Sequence, residues 1–235
     1  MVHFKTSNVH LYWAWFDWEK WSAYISSGVT DAEKTRAERL VRVEDQKKWL
    51  FARATLRRVL SPYLSRAPWD ITFEVNSHGK PFVRDTEVKF NVSHAGDCVL
   101  IGVTLHHDIG VDVEIIRENK DFLALSKRFF SLSEFLAIQS AGEPQAAFYR
   151  CWVCKEAFIK ATGLGLSFGL SNFEIDVSTP RYDHASVLLT VHGDALAAQQ
   201  WCVRSIATDY IGQNYLAAFA VKNGALKIKP AFFTI

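Results

Sequence analysis

The chain has 235 residues, 49% of them hydrophobic and 22% charged, with 27 lysines and arginines against 25 acids for a formal net charge of +2. That composition excludes a disordered segment, and the length suffices for one large core or two small ones. So small a net charge gives no overall field for polyanions, which argues against a dedicated nucleic-acid binder and leaves phosphate recognition to a few local cations.

The chain opens Met1-Val-His-Phe-Lys-Thr6, without the basic start and apolar run of a signal peptide, and Asp17 interrupts the aromatic stretch that follows. No window approaches the roughly 20 apolar residues that span a bilayer, so no membrane partner is expected and a cytoplasmic location is the default. Val9 to Trp15 alternates as a strand. Thr30-Asp-Ala-Glu33 has the form of a capping box and opens a helical region to about Leu64, with a break near Val43 to Asp45. Strands are predicted at Ile71–Val75 and Val88–Val92. Cys98–Leu105 is a continuous apolar run, predicting a strand buried on both faces.

After the polar joint His106-His107-Asp108 comes a strand, Ile109–Ile116, then helices over about Lys120–Phe130, Ser133–Ser140 and Gln145–Thr162, the second opened by the capping box Ser131-Leu-Ser-Glu134. Cys151 and Cys154 have C-x-x-C spacing but fall inside the third of these helices. With no second ligand pair they are read, like Cys98 and Cys202, as buried thiols. Strands at Phe173–Val177, Val187–Val191, Trp201–Ala207 and Tyr215–Val221 complete the chain. The order suggests two α+β halves, residues 1–107 and 108–235.

Three acids stand out. Alternation along Ile109-Gly-Val-Asp-Val-Glu-Ile-Ile116 puts Asp112 and Glu114 on one face and Ile109, Val111, Val113 and Ile115 on the other. Two carboxylates facing one way suit a hard cation such as Mg²⁺, although by themselves they are better explained as a solvated sheet face. In Phe148-Tyr-Arg-Cys-Trp-Val-Cys-Lys-Glu-Ala-Phe-Ile-Lys160, helical spacing lines up Trp152, Glu156 and Lys160, with Lys155 beside Glu156. Gly163 fits the residue that ends this helix. Two further segments offer groups to a phosphate: the turn Ser77-His-Gly-Lys-Pro81, presenting Lys80, and Phe90-Asn-Val-Ser-His94, ending in Ser93 and His94.

Taken together, His78-Gly-Lys-Pro81, Phe90 to His94, Ile109 to Glu114, Arg128-Phe-Phe-Ser131 with Glu134, and Phe148 to Lys160 running into Gly163-Leu-Gly-Leu166 resemble the surfactin-synthetase-activator (group II) type of 4′-phosphopantetheinyl transferase. The resemblance implies an α+β fold built as a pseudo-twofold pair of similar halves, each a small antiparallel sheet with helices, and an active site in the cleft between them. It implies transfer of 4′-phosphopantetheine from coenzyme A to a serine of an apo acyl, peptidyl or polyketide carrier protein, by a monomer, with Mg²⁺ or Mn²⁺.

By position it makes Asp112 and Glu156 the principal metal ligands and Glu114 the third. Lys155 and Lys160 would hold the pyrophosphate, and Lys80 with His94 and Ser93 the nucleotide end. Arg53 would lie near the 3′-phosphate, with Arg36 as a further contact. Glu156 or a metal-bound water would be the base, and Lys160 would neutralise the leaving phosphate. Phe129, Phe130 and Phe135 are candidates for the carrier-docking surface. The same acids would also serve a metal-dependent hydrolase of coenzyme A or a nucleotide diphosphate, and a non-catalytic coenzyme A-binding module is the third reading.

Overall fold

The computed structural model describes residues 8–117, 121–177, 186–206, 214–222 and 229–234. Strand β1 (Asn8–Trp15) leads into helix α1 (Trp18–Gly28), an element absent from the sequence expectations. Its signals are the Asp17 N-cap, which accepts from the Lys20 N–H, and the four-residue spacing of Trp21 and Ile25. The Thr30–Glu33 capping box forms and opens helix α2 (Asp31–Ala37). Helix α3 (Val43–Leu64) begins at Val43, so the interruption falls at 38–42, just before the place the sequence suggests.

Short strands β2 (Glu74–Val75) and β3 (Pro81–Phe82) pair as a hairpin, and β4 (Val88–Ala95) and β5 (Cys98–Leu105) as a longer one. Strand β2 is shorter than expected because the Ile71 carbonyl is taken by Arg57 instead of a ladder. Strand β6 (Ile109–Ile115) opens the second half, followed by helices α4 (Phe122–Phe129), α5 (Leu132–Ser140) and α6 (Pro144–Thr162). Strands β7 (Phe173–Ile175) and β8 (Leu188–Val191), helix α7 (Ala195–Ala198), and strands β9 (Trp201–Ile206), β10 (Tyr215–Lys222) and β11 (Lys229–Thr234) complete it. Lys120 and Ala207, expected in α4 and β9, lie outside the described residues.

One strand order is used twice. In the first sheet β1 pairs antiparallel with β5, which pairs with β4; in the second, β6 pairs antiparallel with β10, which pairs with β9. Strand β11 adds to the first sheet, parallel to β1. Helix α3 covers one face of the first sheet through Phe51, Leu56 and Leu60, and α6 covers one face of the second through Val153, Ala157 and Phe158. The remaining faces pack together through Leu11, Leu100, Val111 and Phe219. All four cysteines are free, and Cys98, Cys151 and Cys154 are buried as expected.

Where β4 meets β6, side chains replace a backbone ladder. The Val111 N–H donates to Asn91 Oδ1 at 2.9 Å and the Val113 N–H to Ser93 Oγ at 3.4 Å, so groups of the first half satisfy buried donors of the second. Each half also contains the same buried strut. The capping-box Glu33 accepts from Arg57 of α3, whose guanidinium also donates to the carbonyls of Pro68 and Ile71. The capping-box Glu134 lies 2.7 Å from Lys155 of α6, whose ammonium donates to the carbonyls of Leu170 and Phe173.

Candidate active site

The site begins with Gly110. A Cβ there would fall well inside van der Waals contact of the Ala157 carbonyl oxygen and the Ala161 nitrogen, so glycine alone lets α6 lie flat on β6. Alternation along β6 then sends Ile109, Val111 and Val113 into the core between the sheets and presents Gly110, Asp112 and Glu114 on the other face. Helical periodicity aims Trp152, Glu156 and Lys160 at the same space. These five side chains, with Ser93 and His94 from β4, line one cavity of about 350 Å³. A neighbouring hollow of about 240 Å³, bounded by His78, Lys80, Asn91 and Gly163, shares Glu156 and Lys160 with it. The cleft therefore takes one wall from each half.

Asp112 is 3% exposed. Its Oδ1 accepts from the Lys160 ammonium at 2.6 Å and from the Ser93 hydroxyl at 2.9 Å, while Oδ2 is buried with no hydrogen-bond partner among the described residues. Burial pushes the Asp112 carboxyl above its ordinary range, against the pull of Lys160 and Ser93. Burial likewise raises Glu156, and the charges of Asp112 and Glu114 add to the effect while Lys160 opposes it. His94, exposed at the mouth of the cleft, is held below the ordinary histidine value by partial desolvation and then by the charge of Lys160, which favours the neutral imidazole.

Three acids facing one cavity with one lysine among them leave an excess of negative charge. A buried carboxylate oxygen without a partner is costly in a folded protein, and a hard cation is the natural complement. Among the described residues no three His, Cys, Asp or Glu side chains are grouped so as to hold a metal ion by themselves. Mg²⁺ takes one or two carboxylates and leaves its other positions to water and phosphate, so an open arrangement suits it. Asp112, Glu156 and Glu114 are the residues present that would hold such an ion.

The structure assigns partners to two of the expected ligands. Lys155 is fully buried on the opposite side of α6, and its three ammonium donors go to Glu134, Leu170 and Phe173; an ammonium has no fourth to offer a pyrophosphate. The Ser93 hydroxyl, on the cleft wall, donates to Asp112 and accepts from Lys160 and the Val113 N–H, which joins it to the acid network.

Lys80 stands on the cleft wall with two donors on the carbonyls of Ile109 and Ala161, and burial lowers its pKa to about 8. Arg53 lies 3.0 Å from Glu33 and over the rings of Phe73 and Trp49; Arg36 also lies over the Trp49 ring, 5.7 Å from its centroid. Of the three phenylalanines considered for docking, Phe130 is buried against Phe148, whereas Phe129 is exposed.

Sequence reasoning missed Asn91, Gly110 and Asn76. Asn91 and Gly110 sit inside motifs quoted for their neighbours, and only their contacts reveal what they do. The strand position of Gly110 was a signal, because glycine within a strand marks close approach by another backbone.

Two sequence comparisons bear on this site. The pattern of the 4′-phosphopantetheinyl transferase superfamily matches residues 108–220, and that of the 4′-phosphopantetheinyl transferase N-terminal region matches residues 14–106. The chain is 34% identical over 149 residues to the 4′-phosphopantetheinyl transferase HetI of Nostoc sp., covering 61% of this chain and 63% of that one. It is 36% identical over 153 residues to psf-1 of Bacillus pumilus, covering 64% of each chain. To ffp of Bacillus subtilis it is 33% identical over 154 residues, covering 64% of this chain and 67% of that one. The match thus spans a little under two thirds of the length of the first two relatives. On this footing the chain belongs to the 4′-phosphopantetheinyl transferase superfamily, and within it to the surfactin-synthetase-activator type.

Proposed function

We propose that this chain is an enzyme that transfers 4′-phosphopantetheine from coenzyme A to a serine hydroxyl of an apo carrier protein of the acyl, peptidyl or polyketide kind, releasing adenosine 3′,5′-bisphosphate with Mg²⁺ or Mn²⁺ as cofactor. The observation that carries the reading is the half-satisfied Asp112 carboxylate, buried in a cleft it shares with Glu156 and Lys160. Asp112, Glu156 and Glu114 would hold a divalent ion, which when bound would supply positive charge to the pyrophosphate of coenzyme A.

The chain's own groups do the rest. Glu156, which faces the cleft beside Lys160, takes the serine proton as the hydroxyl oxygen bonds to the β-phosphorus. The bond from that phosphorus to the bridging oxygen breaks, and the 5′-phosphate of adenosine 3′,5′-bisphosphate leaves. Lys160, already on the Asp112 oxygen, neutralises the charge that develops there. His94, Arg53 and Arg36 are the remaining candidates for the nucleotide end, and residues 1–107 would carry these contacts while 108–235 carry the acids.

A monomer in the cytoplasm fits this role. One chain supplies both cleft walls, and no described helix is long and apolar enough to cross a membrane. Incubation with coenzyme A, MgCl₂ and a panel of apo carrier proteins, followed by intact mass, tests the reading. A gain of one phosphopantetheine group is expected. Bisphosphate release without that gain would make the protein a hydrolase, and coenzyme A binding without release would make it a binding module.

A further inference from the structure

The turn between β2 and β3 is built for a task that nucleotide binding does not explain. Asn76 Oδ1 accepts from the backbone N–H groups of His78 and Lys80, both at 2.9 Å, and the Asn76 N–H donates to the Lys80 carbonyl at 3.0 Å. The turn so closed reaches across to the other half. Asn76 Nδ2 donates to the Gly163 carbonyl at 3.0 Å, and Lys80 Nζ donates to the Ala161 carbonyl at 3.1 Å and the Ile109 carbonyl at 3.0 Å.

Two of these acceptors belong to the C-terminal end of α6, where carbonyls lack helical partners and a cation is favoured by the helix dipole. The third opens β6. One ammonium therefore ties the first residue of the strand that carries Asp112 to the last turn of the helix that carries Glu156 and Lys160. Gly163 is shaped to receive it: its φ of +71° needs glycine, and a Cβ there would lie 3.2 Å from Asn76 Nδ2.

Lys80 also separates two spaces. It lines the active-site hollow on one side and, with Pro81 and Gly163, a second cavity of about 210 Å³ on the other.

We propose that the 76–80 turn is a clamp between the halves, in which Lys80 is a positioning residue that fixes α6 against β6 and thereby sets Glu156 and Lys160 relative to Asp112. The proposal rests on the transfer reading for its kinetic part only. Misplacing reacting groups by an ångström slows chemistry without weakening substrate binding.

The test is Lys80→Met, with Lys80→Arg as the conservative variant and Asn76→Ala as a second cut in case Lys80→Met does not fold. For Lys80→Met, kcat at saturating coenzyme A is expected to fall about 10- to 100-fold. The Kd for adenosine 3′,5′-bisphosphate should stay within about twofold of the parent's, as an interaction not made with the ligand predicts. Lys80→Arg should recover part of the kcat. Amide hydrogen exchange over residues 160–163 should quicken in Lys80→Met and in Asn76→Ala, because the last turn of α6 loses its anchors.

A bisphosphate Kd weakened tenfold at unchanged kcat would make Lys80 a ligand contact and overturn the clamp, as would unchanged exchange in both variants. Should the parent protein transfer nothing, the transfer reading fails while hydrogen exchange still decides the clamp.

Discussion

The Lys160 ammonium meets Asp112 at 2.6 Å on one carboxylate oxygen, and the other oxygen of Asp112 is buried without a partner among the described residues. A cation bound at that second oxygen would complete the pair. Asp112→Asn keeps the volume and removes the charge. Transfer is expected to fall by at least about 10³-fold, the scale on which preorganised charge acts in active sites. The parent's melting temperature should rise on adding MgCl₂, because an ion that binds only the folded state stabilises it, and the variant should show no such rise. An equal Mg²⁺ response in both proteins would remove Asp112 from the metal site.

Lys155 is a strut and not a pyrophosphate ligand, which gives its substitution a particular signature. Lys155→Met leaves the Glu134 carboxylate buried without its cation, at a cost of about 3–5 kcal/mol. In a chain of this size that lowers the melting temperature by roughly 6–20 °C. Adding Glu134→Gln should restore much of the loss, since the stranded charge disappears. The folded protein should bind coenzyme A as the parent does. A higher KM for coenzyme A with no loss of stability would contradict the strut.

Gly110→Ala places a methyl group against the backbone of α6 at Ala157 and Ala161, where no side-chain rotation can relieve it. Helix and strand must separate, costing about 1–3 kcal/mol and moving Glu156 away from Asp112. Transfer should drop more than about tenfold, beyond what the stability change explains. Parent-like activity and melting temperature would show that α6 does not rest on β6 as described.

Glu156 supplies a pH test. Its carboxyl is held above its ordinary value of 4.5, first by burial and then by Asp112 and Glu114, so ionising it opposes folding. That opposition appears as pH rises past 4.5 and is complete above the raised folded value. In the absence of divalent ions, Glu156→Gln should therefore melt above the parent near neutral pH. The difference should vanish in acid, below the unfolded value. The variant should also lose transfer activity. A variant less stable than the parent at neutral pH would reverse the sign and sink the assignment.

Much of this protein is local and was legible in the chain. Alternation marked β1 and β6, a continuous apolar run marked β5, the two capping boxes announced α2 and α5, and helical spacing put Trp152, Glu156 and Lys160 on one stripe. Such features depend on neighbours a few residues apart, so periodicity and short motifs suffice to find them.

What the chain could not state is which groups satisfy one another across long separations. Lys155 and Lys160 look alike in sequence, five residues apart on one helix, yet that spacing turns one toward Glu134 in the core and the other toward Asp112 in the cleft. The sequence alone did not show that Ser93 donates to Asp112, or that two of the three Lys80 donors go to the carbonyls of Ile109 and Ala161. Residue type and pattern determined which chemistry was present; only tertiary packing decided which donors were already taken, because a buried hydrogen bond is settled by whatever lies within 3 Å in space, however distant in sequence.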